Sequence, residues 1–294
     1  MRSAYIKIIF LLSIGYSSVR AQSGDGYRVF HFSSSHTSFP DTGRAKAHLD
    51  GDGILQPVAG HYDDSSVLLV VPSSLKADRT VDMLFWFHGW HNNIDTALSF
   101  YGLARQFAAS GCNAVLVLPE AGRNVADSYG GKLQQEGMFR SLVTDVLEEL
   151  KVRKVISGKA VAGHLALGGH SGGYQVIADI LRNGEMPVDE VFLFDALYGR
   201  LPVYLNWAKE EPHHFVHWFT NHGGGTDEMS DTLMLQLKGL GKDYLLTEEA
   251  TLQPAQLKSN RLLFIHSPRE HNVIINDPDD FRLLLENSFV LRKR

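Results

Sequence analysis

The residues best suited to chemistry lie in Gly169-His170-Ser171-Gly172-Gly173. An apolar run, Leu165-Ala166-Leu167-Gly168, leads into them, and a helical pattern over 174–181 leads out. A strand turning straight into a helix around a serine puts that serine in strained backbone geometry, with Oγ held up at the sheet's edge. Gly169 and Gly173 carry no Cβ to collide across so tight a turn. The helix N-terminus behind Ser171 favours the negative charge that develops when a hydroxyl attacks. Such a bend serves nucleophilic catalysis; with no base, the same glycines would make a phosphate turn or a plain connector.

The elements that must position this serine can be read from hydrophobic spacing. Segments 27–32, 67–71, 83–87, 114–118, 165–168, 191–194, 215–220 and 262–265 read as strands, rich in β-branched and aromatic side chains. Helical spacing is seen over 94–110, where Ile94, Leu98, Tyr101 and Phe107 recur, and over 139–150, where Phe139, Leu142, Val143, Val146 and Leu150 make one stripe. Further helices are expected over 174–181, around 204–209, and over 277–287 with Pro278 in the first turn. Short, continuous apolar strands are those of a sheet covered on both faces. The predicted fold class is α/β: one domain, a mostly parallel central sheet with helices on both faces, and antiparallel strands at its N-terminal edge. No linker composition or internal repeat divides it.

Composition narrows the class. The chain has 294 residues, 44% hydrophobic and 21% charged, with a formal net charge of -5. That supports a folded core and excludes a disordered or collagen-like chain. No apolar run reaches the about 18–20 residues that span a bilayer, so no membrane insertion is expected. The mild negative balance gives no footprint for nucleic acid. Arg2 and Lys7, the apolar stretch 8–14, and Val19-Arg20-Ala21 have the layout of a signal peptide over 1–21, cut ahead of Gln22. The domain would then run over 22–294, in a secreted or periplasmic protein. Cys112 stands alone before an apolar strand and reads as a small buried residue. Fourteen histidines raise the question of a metal, but none forms H-E-x-x-H, and no metal or other cofactor is expected.

With these motifs in this order, the chain resembles an α/β-hydrolase over nearly all of 22–294, of the secreted esterase or lipase-like kind. The resemblance implies a Ser-His-Asp triad, with Ser171 as nucleophile. It implies a histidine after the last strand: His271 is the choice, and His266, on the strand end, is its rival. For the acid, Asp195 directly follows 191–194, while the superfamily more often uses the next strand, which offers Asp227 behind Gly223-Gly224-Gly225. Asp195 is preferred because a strand tip places it rigidly. The oxyanion hole would take the N–H of Gly172 and one from the loop His88-Gly89-Trp90, from Trp90 or Gly89. His88 is read as structural, and His170 as packing against or lining the site. Tyr198, Trp207, Trp90 and Tyr129 are candidates for a pocket wall or for core and surface positions. The short segment 195–214 leaves room for little more than one helix, so a minimal lid and an open site are expected. The implied activity is hydrolysis of small-molecule or polymeric carboxylic esters through an acyl-enzyme. An amidase or peptidase acting on extracellular or cell-wall peptides with the same triad is the alternative.

Overall fold

A computed structural model describes residues 22–24, 26–222 and 224–291; the segment 1–21, read above as a signal peptide, lies outside them. The strands are β1 (Gln22–Gly24), β2 (Tyr27–Ser33), β3 (His48–Leu49), β4 (Leu55–Gln56), β5 (Ser66–Pro72), β6 (Thr80–Phe87), β7 (Ala114–Pro119), β8 (Val161–His170), β9 (Glu190–Phe194), β10 (His214–Phe219), β11 (Leu245–Glu248) and β12 (Leu262–His266). The helices are α1 (Ile94–Phe100), α2 (Leu103–Ser110), α3 (Met138–Val152), α4 (Tyr174–Asn183), α5 (Leu201–Ala208), α6 (Asp227–Gly239), α7 (Pro254–Ser259) and α8 (Asp280–Glu286). Ten strands form one sheet in the order β1-β2-β5-β7-β6-β8-β9-β10-β12-β11, and β3 and β4 pair separately. From β7 to β11 all neighbours run parallel, while the pairs β1/β2, β2/β5 and β5/β7 are antiparallel. The N-terminal edge is therefore antiparallel, as expected.

Alternation along the central strands splits the core in two. Met83, Phe85 and Phe87 of β6, with Leu165 and Leu167 of β8, pack against the buried stripes of α3 and α4. Leu84 and Trp86 of β6, with Phe192 and Phe194 of β9, pack against α1, α2 and α8 on the other face. Both faces are covered, which is why these strands read as unbroken apolar runs.

Register brings the site together. Phe87 of β6 pairs with Gly169 of β8, His170 of β8 with Phe194 of β9, Trp218 of β10 with Phe194, and Phe219 of β10 with His266 of β12. The carboxyl ends of five neighbouring parallel strands therefore finish level. The segments just past these ends emerge at one edge of the sheet: His88-Gly89-Trp90, Ser171, Asp195, Thr220, and the loop to His271. Ligands of open α/β sheets bind at this edge.

Some boundaries differ from expectation. The helix expected over 94–110 is two, because the chain breaks at Tyr101 and restarts through Gly102 at φ +59°. Both pieces bury their apolar residues on the same side, so the spacing hides the break. Strand β8 is longer than 165–168, and β10 ends at Phe219, one residue before Thr220. The last helix begins at Asp280, leaving Pro278 ahead of its cap, Asp279, instead of in its first turn. Cys112 is buried, as expected. Among the described residues no helix is long and apolar enough to cross a membrane.

Candidate active site

Ser171 sits where β8 ends, in a single 3₁₀ turn that runs directly into α4. Its φ is +51°, a left-handed value that a serine seldom adopts. Strain of this kind persists only where the surroundings enforce it, and here they do. A Cβ at Gly173 would lie 2.6 Å from the Phe87 carbonyl oxygen, so the turn is pressed against the end of β6.

Asp195 directly follows β9, fully buried, at φ +43°. Its Oδ2 lies 2.5 Å from Nδ1 of His271, a residue 76 positions away on the loop after β12. The ring therefore donates from Nδ1 to the carboxylate, and Nε2 is left as the nitrogen that can accept a proton. The Tyr198 hydroxyl lies 3.4 Å from the same Nδ1. Burial pushes the Asp195 carboxyl up, but hydrogen bonds and charge from His271, with a hydrogen bond from Thr226, outweigh it and hold the group below the usual range. Ser171 and His271 line one cleft of about 380 Å³, together with Trp90, Phe100, Tyr101 and His170. No direct hydrogen bond joins the Ser171 hydroxyl to the His271 ring; such contacts commonly tighten only when substrate binds.

His170 braces this arrangement. Its Nε2–H donates to the His271 carbonyl oxygen at 3.0 Å, and its Nδ1 accepts from the Tyr101 hydroxyl at 3.1 Å. The His170 and His271 ring centres are 4.4 Å apart. Burial, with the nearby His271 charge, lowers the His170 pKa to about 3, so the ring stays neutral.

The loop after β6 lies over Ser171. A Cβ at Gly89 would stand 2.6 Å from Ser171 Cβ. The Trp90 indole covers Gly172, and its Nε1 donates to Ser128 Oγ at 2.8 Å. Buried His88 holds the loop: Nδ1 is 2.8 Å from the Gly89 carbonyl oxygen and Nε2 is 2.7 Å from Glu120 Oε1. Burial would lower the His88 pKa, but the Glu120 contact more than offsets it and raises it. With an acceptor at each nitrogen, the ring ties the loop to Glu120 and fixes the peptide whose N–H belongs to Trp90. The structural reading of His88 therefore holds.

Six predicted residues thus converge: Ser171, His271, Asp195, Gly89, Trp90 and Gly172. The rivals do not join them. His266 Nδ1 is paired with Glu248 at 2.8 Å. Asp227 begins α6, and it is Asp195 that makes the hydrogen bond to His271. Two of the four aromatic candidates take the other alternative and lie away from the cleft. Trp207 is buried and stacks on His213 at 4.5 Å, while Tyr129 packs beneath the Arg44 guanidinium at 4.2 Å and donates to Asp41. Neither lines the cleft: Trp207 is held against His213 at the end of α5, and Tyr129 against Asp41 and Arg44. Residues that sequence reasoning passed over include Thr220, Thr226 and Glu120, which carry no motif of their own.

Two solved structures share this architecture. A ferulic acid esterase aligns with a TM-score of 0.52 and 10% identity, over 88% of this chain and 98% of that one. The enterobactin and salmochelin hydrolase IroE aligns with a TM-score of 0.51 and 15% identity, over 90% and 97%. No protein-family model and no curated protein matches the sequence. At such identities what is shared is the fold: this chain has the α/β-hydrolase fold.

Proposed function

We propose that this chain is an exported serine hydrolase that cleaves carboxylic esters. Ser171 Oγ attacks the ester carbonyl as His271 Nε2 takes its proton, and Asp195 steadies the imidazolium that results. The tetrahedral oxyanion is received by the N–H groups of Gly172 and Trp90. Collapse releases the alcohol, protonated by His271, and leaves an acyl group on Ser171. Water, deprotonated by the same ring, then frees the acid and restores the enzyme.

One observation carries this reading: Asp195 and His271 meet at 2.5 Å across 76 residues, in the cleft that Ser171 lines. A strained serine at the end of β8 supports it. The segment between β9 and β10 holds a single eight-residue helix, α5, and this favours an open site for water-soluble or polymeric esters. The structural neighbours, an esterase and a hydrolase, are in keeping with it. Export rests on the layout of residues 1–21 and predicts a mature chain starting at Gln22, which N-terminal sequencing of the processed protein would test.

The decisive experiment is labelling with a fluorophosphonate, followed by mass spectrometry. The adduct should sit on Ser171, and Ser171→Ala should abolish both labelling and ester hydrolysis. Labelling elsewhere, or an active alanine variant, would overturn the proposal.

A further inference from the structure

Only one oxygen of Asp195 faces His271. The other, Oδ1, is buried and takes three donors from one segment: Thr220 N at 3.3 Å, Thr226 N at 3.0 Å and Thr226 Oγ1 at 2.8 Å. Thr226 is the N-cap residue of α6, where a threonine side chain ordinarily accepts a backbone N–H of the first turn. Here it makes no such cap. Its hydroxyl is turned away from its own helix and donates to the carboxylate.

A second layer explains what holds that hydroxyl. Ser230 Oγ donates to the Thr226 carbonyl oxygen at 2.7 Å. The protons of both hydroxyls are thus committed, and His217 Nε2, 2.9 Å from Ser230 Oγ and 3.3 Å from Thr226 Oγ1, meets only lone pairs. Nδ1 faces an acceptor too, the Leu193 carbonyl oxygen, but at the longer 3.3 Å, so the single proton of the neutral ring is assigned to Nε2. The bonds then run one way, from His217 to Thr226 to Asp195. His217 is fully buried and kept neutral, its pKa lowered to about 4 by burial. The titratable groups that face Asp195 are His271 from the loop after β12, His217 from β10, His170 from the end of β8, and Tyr198 from its own loop.

We infer that Thr226 is a positioning residue for the reaction: its hydroxyl, backed by His217 and Ser230, fixes the Asp195 carboxylate so that Oδ2 meets the His271 ring. The inference rests on the triad reading given above. It also accounts for the unusual place of the acid. The strand that more often supplies it, β10, is followed here by a loop that supplies its donors instead.

The test compares Thr226→Val, which keeps the shape and removes the hydroxyl, with Thr226→Ser, which keeps the hydroxyl. The readouts are kcat and KM for a soluble ester across pH. A lost hydrogen bond to a buried carboxylate should lower kcat about tenfold in the valine variant, with KM within about twofold of wild type. It should also move the acid limb of kcat to higher pH, because a carboxylate with one donor fewer leaves more of its negative charge to stabilise the His271 imidazolium. The serine variant should keep the native limb and most of kcat. A valine variant with native kcat and limb overturns the inference, as does a serine variant damaged equally. If valine prevents folding, Ser230→Ala removes the acceptor that aims His217 at Thr226; it should give the same changes at smaller amplitude, and native behaviour there is equally fatal. Asp195→Asn is the reference: an active Asn variant overturns the triad reading as well, whereas an inactive one beside an unaffected Thr226→Val overturns this inference alone.

Discussion

Substituting Gly89 by alanine should disable the nucleophile while leaving the fold standing. Gly89 does not occupy the left-handed region, so its backbone imposes no need for glycine. Space does. The added methyl would lie 2.6 Å from Ser171 Cβ and 3.1 Å from both Ser171 Oγ and the His170 carbonyl oxygen. Ordinary contacts between carbons begin near 3.4 Å, so the loop after β6 and the elbow must part by about 0.8 Å. Neither neighbour is the far end of a flexible side chain. One is backbone, and Ser171 is itself held in a strained turn. A displacement approaching 1 Å at a reacting atom costs about a hundredfold in rate, and overpacking costs about 1–3 kcal/mol in stability. Both the kcat for a soluble aryl ester and the rate of fluorophosphonate labelling should therefore fall about a hundredfold, with a cooperative melt preserved. Gly158→Ala, whose methyl meets nothing within 4 Å, serves as the control and should change neither rate. A folded Gly89→Ala protein that labels at the native rate would refute the reasoning, because the oxyanion loop could not then rest on Ser171.

The same geometry predicts two further outcomes. Asp195→Asn should lower kcat about 10⁴-fold by presenting the wrong partner to His271 Nδ1, whereas Asp227→Asn should stay within about twofold and lose only a favourable charge in the first turn of α6. The reverse result would move the acid to the loop after β10. Two buried histidines should each cost stability on acidification from pH 7 to pH 5. Burial keeps His170 and His217 neutral, with pKa values of about 3 and about 4, while in the unfolded chain histidine titrates near 6.5. Below that value the unfolded state binds protons that the folded state refuses, so each ring removes about 1.4 kcal/mol per pH unit until its own low pKa is reached. Asp280, whose carboxyl burial raises to about 9, opposes them over the same range, so urea midpoints of wild type and His217→Asn are compared at the two pH values, and an equal change in both would contradict a neutral, buried His217 ring.

How much of this is legible in the sequence depends on where information is stored in the chain. Strands buried on both faces announce themselves as apolar runs, so the parallel centre, its antiparallel edge and the serine bend can all be read. The far edge cannot. In β11 half-buried and exposed residues alternate along four positions, and α7 is six residues long, too short for a periodic pattern. The break between α1 and α2 is hidden for the opposite reason: a helix that stops and restarts on the same face preserves its spacing. Aromatic residues mislead in a third way. Trp207 and Tyr129 have the size and polarity of pocket walls, and only their partners in the folded chain, His213 and Arg44, assign them elsewhere.

The acid shows where sequence reasoning meets its physical limit. Asp195 and Asp227 are both carboxylates after a strand, and their neighbours along the chain separate them only by how directly each follows it. The difference lies in solvation. A fully buried carboxylate is tolerable only if its lone pairs are filled. Asp195 meets that condition through Thr220, Thr226 and His271, which lie 25, 31 and 76 residues away. Asp227, at the start of a helix, meets its needs locally. Rigid placement at a strand tip is a sound reason to prefer Asp195, but it is incomplete. The tip must also lie where a neighbouring loop turns its donors inward, and here that loop is the one that carries the rival.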